Sequence, residues 1–277
     1  MSPEHREKLN PGIGATEEFS LRVSVAALAR VLFQDPKDGA WLLALERRAA
    51  LREAKDGRVV EIKSRPFGGA IRIRDEMSLR ELIGDFHFDS ERSRFEQDFR
   101  IFIRPSKWDV VREFCVRQFG LANDAVLETD PGRELVEEFA GALHISLTAD
   151  QYSQRPIAIV VDNNPTPTEN VRAEGYLTAR VYRVFEVRIS DASLAHAIMT
   201  NSESISDSTL RELALKRAQS GGKGRANAIL ALPLKRISDF YLGMSPEERR
   251  LTVTFEGNRL TDSVAAVLEG IAAPKSP

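Results

Sequence analysis

The chain of 277 residues is poor in cysteine and in aromatic side chains, with Cys115 as its single cysteine and 7% Phe, Trp and Tyr. One cysteine excludes an internal disulfide and a cysteine-rich zinc site, and it is typical of proteins from reducing compartments. Long hydrophobic runs are also missing. The most apolar stretch, Ile157 to Val161, is far shorter than the roughly 20 residues of a membrane-spanning helix. The sequence therefore favours a cytoplasmic protein without a membrane segment.

Neither sign of charge is in excess, since 39 lysines and arginines stand against 41 aspartates and glutamates. Sequence-independent nucleic-acid binding normally uses a strongly positive surface, so no broad surface of that kind is expected. The proportions of hydrophobic (42%) and charged (29%) residues are those of a folded globular chain. We expect a loose arm over residues 1–19, a single elaborated domain over 20–271 and a frayed tail over 272–277.

Alternating and continuous apolar segments predict a sheet. Leu21 to Phe33 and Trp41 to Leu45 flank a turn-rich stretch and predict a β-hairpin, although the alanines of the first segment also suit a helix. Further strands are predicted at 59–62, 98–103, 156–162, 176–189, 228–234 and 251–255. With the intervening helices they indicate an α+β fold, an α/β/α sandwich with a mixed sheet.

Helical spacing of apolar residues predicts helices at 78–86, 107–119, 133–144, 191–199, 208–218, 235–243 and 261–271. Ser78 and Ser106 are the expected caps of the first two. In the second helix, Cys115 shares an apolar stripe with Val111 and Phe114. A core position is therefore favoured over a role as a nucleophile.

A glycine-rich loop, Ser220-Gly221-Gly222-Lys223-Gly224-Arg225, precedes one of the predicted strands. Its backbone N–H groups, with Lys223 and Arg225, are suited to cradling a phosphate. The loop is not a Walker A sequence, because no Gly-Lys-Ser/Thr opens a helix there. A plain flexible turn is the favoured alternative.

The candidate for chemistry is the helix over 133–144. Glu134, Glu137 and Glu138 have the i, i+3, i+4 spacing that places three carboxylates on one helical face. Because like charges so spaced repel, the cluster needs solvent, a cationic neighbour or a metal ion. Taken alone, the pattern favours a solvated face. The other interpretation is a site for Mg²⁺ or Mn²⁺, with Arg133 orienting a glutamate by a charge-assisted hydrogen bond.

Two segments of the sequence carry a family resemblance. Arg133-Glu134-Leu135-Val136-Glu137-Glu138 resembles the second half of the Nudix box, and Pro66-Phe67-Gly68-Gly69 resembles the glycine pair that leads into the box. The order of the glycine pair, an inserted stretch with the strand Asp98 to Ile103, and then the acidic helix is similar to the bacterial SMODS-associated Nudix domain. The resemblance implies a Nudix-like fold with an insertion before the Nudix helix.

The same resemblance implies a site and a setting. The implied catalytic residues are Glu134, Glu138 and Arg133; the implied metal ligands are Glu134, Glu137 and Glu138; and the ligand-binding candidates are Gly68, Gly69, Lys223 and Arg225. The metal would be Mg²⁺, with Mn²⁺ as a substitute. The setting would be bacterial antiphage defence, with a nucleotide or cyclic oligonucleotide as ligand and a defence-system protein as partner.

The chain departs from the Nudix pattern at two positions. The first box glutamate falls at Ala125, and the last box glycine falls at Ala140, with Gly141 one place late. These departures favour a module that recognises a nucleotide signal with weak or absent turnover. The retained glutamates favour the alternative, a Mg²⁺-dependent hydrolase that cleaves a diphosphate bond of a nucleoside-diphosphate derivative.

Overall fold

A computed structural model describes residues 18–54, 57–121, 125–130, 132–144, 147–162, 164–167 and 175–269. The chain is an α+β protein with a large mixed sheet and, over these residues, eight α-helices. None of the helices in the described ranges is long and apolar enough to span a membrane. The predicted fold class is confirmed at this level, and the Nudix-like details stay a prediction.

The strands are, in chain order, β1 (Leu21–Gln34), β2 (Trp41–Ala54), β3 (Gly57–Arg65), β4 (Phe67–Ala70), β5 (Arg72–Ile73), β6 (His87–Phe88), β7 (Arg100–Ile103), β8 (Leu127–Glu128), β9 (Tyr152–Val161), β10 (Thr166–Pro167), β11 (Leu177–Ile189), β12 (Arg225–Pro233), β13 (Val253–Phe255) and β14 (Asn258–Leu260). The predicted β1–β2 hairpin is confirmed, with Gln34 paired to Trp41 across the turn. The helical alternative for the first segment is wrong.

The helices are α1 (Glu76–Ile83), α2 (Glu91–Glu96), α3 (Trp108–Phe119), α4 (Gly132–Leu143), α5 (Ala192–Ser204), α6 (Asp207–Gln219), α7 (Leu234–Leu242) and α8 (Ser263–Leu268). Two predicted caps are wrong. The N-cap of α1 is Asp75, whose carboxylate accepts the Ser78 N–H, and α3 follows a short 3-10 turn that includes Ser106. Asp75 is three residues before Ser78, and both are residue types that commonly cap helices. The sequence alone therefore does not distinguish between them.

The described chain divides into two compact units. Unit 1 comprises Met1–Ala27, Gly69–Asp130 and Ile159–Arg183, and unit 2 comprises Leu28–Gly68, Pro131–Ala158 and Val184–Pro277. The prediction of one elaborated domain stays a prediction. Most of the predicted arm and all of the predicted tail lie outside the described residues; Phe19, at the end of that arm, is buried.

In unit 2, β2 is the central strand of a mixed sheet. On one side it pairs with β12 over nine residues, from Leu42 opposite Pro233 to Ala50 opposite Arg225. On the other side it pairs first with β1 and then with β3, both antiparallel. The short strand β14 runs parallel to β3, and β13 pairs with β14. Both edges of β2 are thus occupied along most of its length.

Side chains alternate across this sheet, and each face has its own buried core. The first core contains Ala44 and Ile229 from the strands, with Leu135 and Phe139 from α4. The second contains Leu43 and Leu230 from the opposite face, with Ile237 from α7. Helix α6 adds Leu210 and Ala214 against Ala49 on this second face. Unit 2 therefore has helices on both faces of its sheet.

Unit 1 is built around the first residues of β1, which pair antiparallel with β7, as β7 does with β6. A buried ion pair links β1 to the residue that follows β6. Arg22 donates to Asp89 from Nε at 2.9 Å and from Nη2 at 2.7 Å. Cys115, on α3, is fully buried, as the apolar stripe of that helix predicts. Its core position is confirmed.

One strand differs from its prediction in burial. The apolar run that begins at Ile157 predicts a buried strand, yet β9 is half-exposed along most of its length. Ser153 to Pro156 are exposed, and Ile159 within the apolar run is itself 39% exposed. An apolar run alone does not fix the depth of a strand.

Candidate functional site

The three glutamates of α4 lie in different environments. The side chain of Glu138 is 9% exposed, that of Glu134 is 26% exposed and that of Glu137 is 61% exposed. Leu135 and Phe139 anchor the helix on the sheet, because both are fully buried in the first core of unit 2. The helix therefore turns Glu138 inward and leaves Glu137 at its outer side.

Glu138 contacts the glycine loop that the family resemblance singles out. Its Oε2 accepts the backbone N–H of Gly68 at 2.7 Å, and its Oε1 accepts from Arg65 Nη2 at 2.5 Å. Gly68 has φ of 120°, a conformation that side chains with a Cβ rarely adopt. Glu138 therefore lies against Gly68, whereas Glu137 of the same helix is exposed.

A second buried carboxylate shares the same guanidinium group. Glu46, fully buried on β2, accepts from Arg65 Nε at 2.6 Å and from Arg48 Nη2 at 3.0 Å. Arg48 Nη2 also lies 3.9 Å from Glu138 Oε1. We call Glu46, Arg48, Arg65 and Glu138 the ion cluster. It carries two positive and two potential negative charges beneath α4.

The β2–β3 register assembles this cluster. Glu46 is paired with Arg65 and Arg48 with Lys63 across the two strands, and residues two apart on a strand point to the same face. Glu46, Arg48 and Arg65 therefore share the face on which α4 packs. The strand pairing supplies three members and the helix supplies the fourth.

Burial separates the pKa values of the two carboxylates. Burial raises the pKa of Glu138 to about 8; Arg65 opposes the shift and Glu46 adds to it. Burial would also raise the pKa of Glu46, but Arg65 and Arg48 outweigh it and hold that pKa below its usual range. Two neighbouring carboxyl groups with such different pKa values are typical of sites where one of them keeps its proton near neutral pH.

Arg133 lies at the start of α4 and pairs with the outer glutamates. Its Nη2 is 2.7 Å from Glu134 Oε1, and its Nη1 is 3.3 Å from Glu137 Oε1. It thus supplies the cationic neighbour that closely spaced carboxylates need. The expected orientation of a glutamate by Arg133 is present in this geometry.

The three glutamates do not form a ready metal site. Across the residues described, no group of three or more His, Cys, Asp or Glu side chains is placed to hold a metal ion. The Glu138 carboxylate already accepts from Arg65 and Gly68, whereas Mg²⁺ requires oxygen ligands in near-octahedral geometry. The arrangement shown does not fit Mg²⁺, and metal binding stays a prediction.

The glycine-rich loop after α6 uses its N–H groups within the chain. The N–H groups of Ser220, Gly221 and Gly222 donate to carbonyl oxygens of the last turn of α6. The carboxyl end of a helix carries partial negative charge, which disfavours phosphate. Lys223 is exposed, and Arg225 already begins β12, paired with Ala50. The geometry favours a helix-ending turn over a phosphate cradle.

Three members of the ion cluster are absent from the sequence-based site. Glu46 and Arg48 lie in the charged second half of β2, and Arg65 directly precedes the glycine loop. Charged residues at i and i+2 in a strand are a usable signal, because they share one face. Their burial depends on α4, which follows much later in the chain.

Comparison of the chain with protein families, with curated proteins and with solved structures found no match.

Proposed function

We propose that this protein recognises a nucleotide or cyclic-oligonucleotide signal through a Nudix-like domain, with weak or absent turnover, in the bacterial cytoplasm as part of antiphage defence. One observation carries the proposal. Glu138, from the segment that resembles the Nudix box, accepts the N–H of Gly68, from the segment that resembles the glycine entry to the box. The two segments are 70 residues apart in sequence, so their contact supports a shared site.

The ion cluster offers positive charge to an anionic ligand. The side chains of Arg48 and Arg65 are 29% and 31% exposed, although both pair with Glu46. Both side chains are therefore partly accessible from outside the cluster. Guanidinium groups bind phosphate oxygens with paired, charge-assisted hydrogen bonds. This supports a phosphate-bearing ligand.

Weak turnover is supported by the state of Glu138. Burial raises its pKa to about 8, which favours the protonated form, and its oxygens already accept from Arg65 and Gly68. A protonated, engaged carboxyl group is a poor metal ligand and a poor general base. Ala125, in place of the first box glutamate, removes a further carboxylate from the pattern.

The hydrolase alternative requires Mg²⁺ or Mn²⁺ held by Glu134, Glu137 and Glu138. Calorimetric titration of the wild type against the double variant Glu137→Gln, Glu138→Gln tests it. Loss of metal affinity in the double variant would favour the hydrolase, whereas equal affinity would remove these residues as ligands.

A ligand screen tests the proposal itself. Nucleotides and cyclic di- and trinucleotides are added with Mg²⁺, and the thermal unfolding midpoint is measured, because a ligand that binds the folded state raises it. We expect at least one compound to raise the midpoint, with little product by chromatography at saturation. The absence of any shift across the screen would refute recognition.

Turnover distinguishes the two hypotheses. Product formation at about 1 per second or faster, in the usual enzyme range, that disappears in Glu138→Gln would overturn the proposal in favour of the hydrolase. Glu113→Gln is the control, since it makes the same substitution at an exposed residue of α3, outside the candidate metal ligands.

A further inference from the structure

A cavity of about 540 Å³ lies in unit 2, beside β3 and α6 and next to the turn between β13 and β14. Its volume falls within the roughly 300–1,000 Å³ of small-molecule sites. Strand residues Val60, Ile62 and Ser64 line it on one side. Arg47 and Ser64 lie opposite each other on neighbouring strands, so this part of the lining is on the sheet face away from the ion cluster.

The lining carries more positive than negative charge. Its charged members are Arg47, Arg52, Arg211, Arg259, Glu61 and Asp207. Four arginines thus stand against two carboxylates. A concave surface of one sign concentrates the field and attracts counter-ions of the opposite sign.

Glu61 is shared among several cations. Its carboxylate lies 2.9 Å from Arg52 Nε, 2.7 Å from Arg259 Nη1 and 3.1 Å from Lys63 Nζ. One carboxylate carries a single negative charge and three cations surround it. Two arginines of the lining, Arg52 and Arg259, therefore share this one carboxylate.

Arg47 is the buried arginine of the lining, with its side chain 8% exposed. It donates from Nη2 to the Ile205 carbonyl, and its Nη1 lies 3.5 Å from Asp207. Its Nε has no hydrogen-bond partner within the described ranges. Burial lowers the pKa of Arg47 from its ordinary value, although Asp207 opposes the shift. A buried donor without an acceptor is costly, so the burial of this side chain is not offset at every donor.

Arg211 extends from the first turns of α6 and is exposed. Over the part of the chain that the structure describes, its guanidinium group makes no ion pair. An arginine in this state retains its full donor capacity for a ligand. Arg211 is therefore the lining residue whose removal changes the charge of the cavity with the least effect on the fold.

We propose that this cavity binds a small phosphorylated compound, with the phosphate held by Arg47 and Arg211 and an apolar part packed on Val60 and Ile62. The excess of two positive charges in the lining matches the charge of about −2 on a phosphate monoester near neutral pH. This proposal goes beyond the proposed function and does not rest on it, because its residues are not those of the ion cluster.

Calorimetric titration with inorganic pyrophosphate and with adenosine diphosphate tests the site. We expect both to bind the wild type, the nucleotide more tightly because its apolar part adds contact with the valine and isoleucine wall. Equal affinities would refute the packing of an apolar part on Val60 and Ile62. Binding of neither compound would overturn the proposal.

Charge variants locate the binding. Arg211→Ala should weaken pyrophosphate binding about tenfold, the effect of losing a hydrogen bond to a charged group. Lys216→Ala is the matched control, because it removes one charge from the exposed side of the same helix and does not line the cavity. Glu61→Gln should tighten binding, since it removes a negative charge from the lining.

The direction in which each variant changes the affinity for pyrophosphate tests the proposal. An affinity that is unchanged in Arg211→Ala, or lowered equally by Lys216→Ala, would overturn the proposal, as would weaker binding in Glu61→Gln. Circular dichroism of each variant checks that the fold is retained.

Discussion

Because the pKa of Glu138 is raised, we expect the stability of Glu138→Gln to depend on pH differently from that of the wild type. In the wild type, the folded state holds the Glu138 proton up to about pH 8, whereas the unfolded chain releases it near pH 4.5. The folded state therefore binds more protons over this interval, and stability must fall as the pH rises through it. Glutamine cannot release a proton, so the variant lacks this fall.

The magnitude follows from the size of the shift. At about 1.4 kcal/mol per pH unit, the change between pH 5 and pH 8 amounts to up to about 4 kcal/mol. We expect Glu138→Gln to be slightly less stable than the wild type at pH 5, where both side chains are neutral and glutamine must replace one hydrogen bond. The free energy of unfolding of the variant, relative to that of the wild type, should rise steadily from pH 5 to pH 8. The pKa of Glu46 is lowered. Its contribution to stability is therefore lost only in acid, below pH 5, and does not affect this comparison.

Urea unfolding followed by circular dichroism at pH 5, 6, 7, 8 and 9 measures this difference. Glu137→Gln is the control, and its exposed side chain should leave stability within about 0.5 kcal/mol of the wild type at each pH. A Glu138→Gln variant that loses more stability at pH 8 than at pH 5 would refute the reasoning. That result would mean that Glu138 is ionised and that its ion pair with Arg65 is the stabilising contact.

Three further changes should alter stability in unfolding experiments on single variants. Tyr241→Phe should leave stability unchanged or raise it by up to about 1 kcal/mol, because the buried Tyr241 hydroxyl has no hydrogen-bond partner in the described ranges; a clear loss would show a partner. Asp89→Asn should cost about 3–5 kcal/mol, since it leaves Arg22 buried beside a neutral group; a loss near zero would contradict this. Gly68→Ala should cost about 1–3 kcal/mol, because φ at Gly68 is 120°; an unchanged midpoint would count against strain there.

Local patterns in the sequence predict most of the elements. The β1–β2 hairpin has its turn-forming residues between two apolar runs, and the helix over 133–144 differs from α4 by one residue at each end. The burial of Cys115 follows from its apolar stripe. In each case, residues within a few positions of one another contain the signal.

Local sequence patterns do not predict the ion cluster. Glu46 and Arg65 meet through the β2–β3 register, and Glu138 reaches Arg65 across 73 positions. The sequence predicts that Glu138 approaches Gly68 only through the family resemblance. It does not predict that Glu138 is neutralised by burial, because that depends on the depth to which α4 packs on the sheet.

The position of β2 has a consequence for synthesis of the chain. One edge of β2 is covered by β12, which is made long after β2, while its other partners, β1 and β3, are made just before and just after it. Until β12 emerges, the ribosome-bound chain exposes an unpaired strand edge lined with Leu43 and Leu45. Such edges recruit other strands. A nascent chain that stalls before residue 225 should therefore depend on chaperones more than a chain in which β12 has been made.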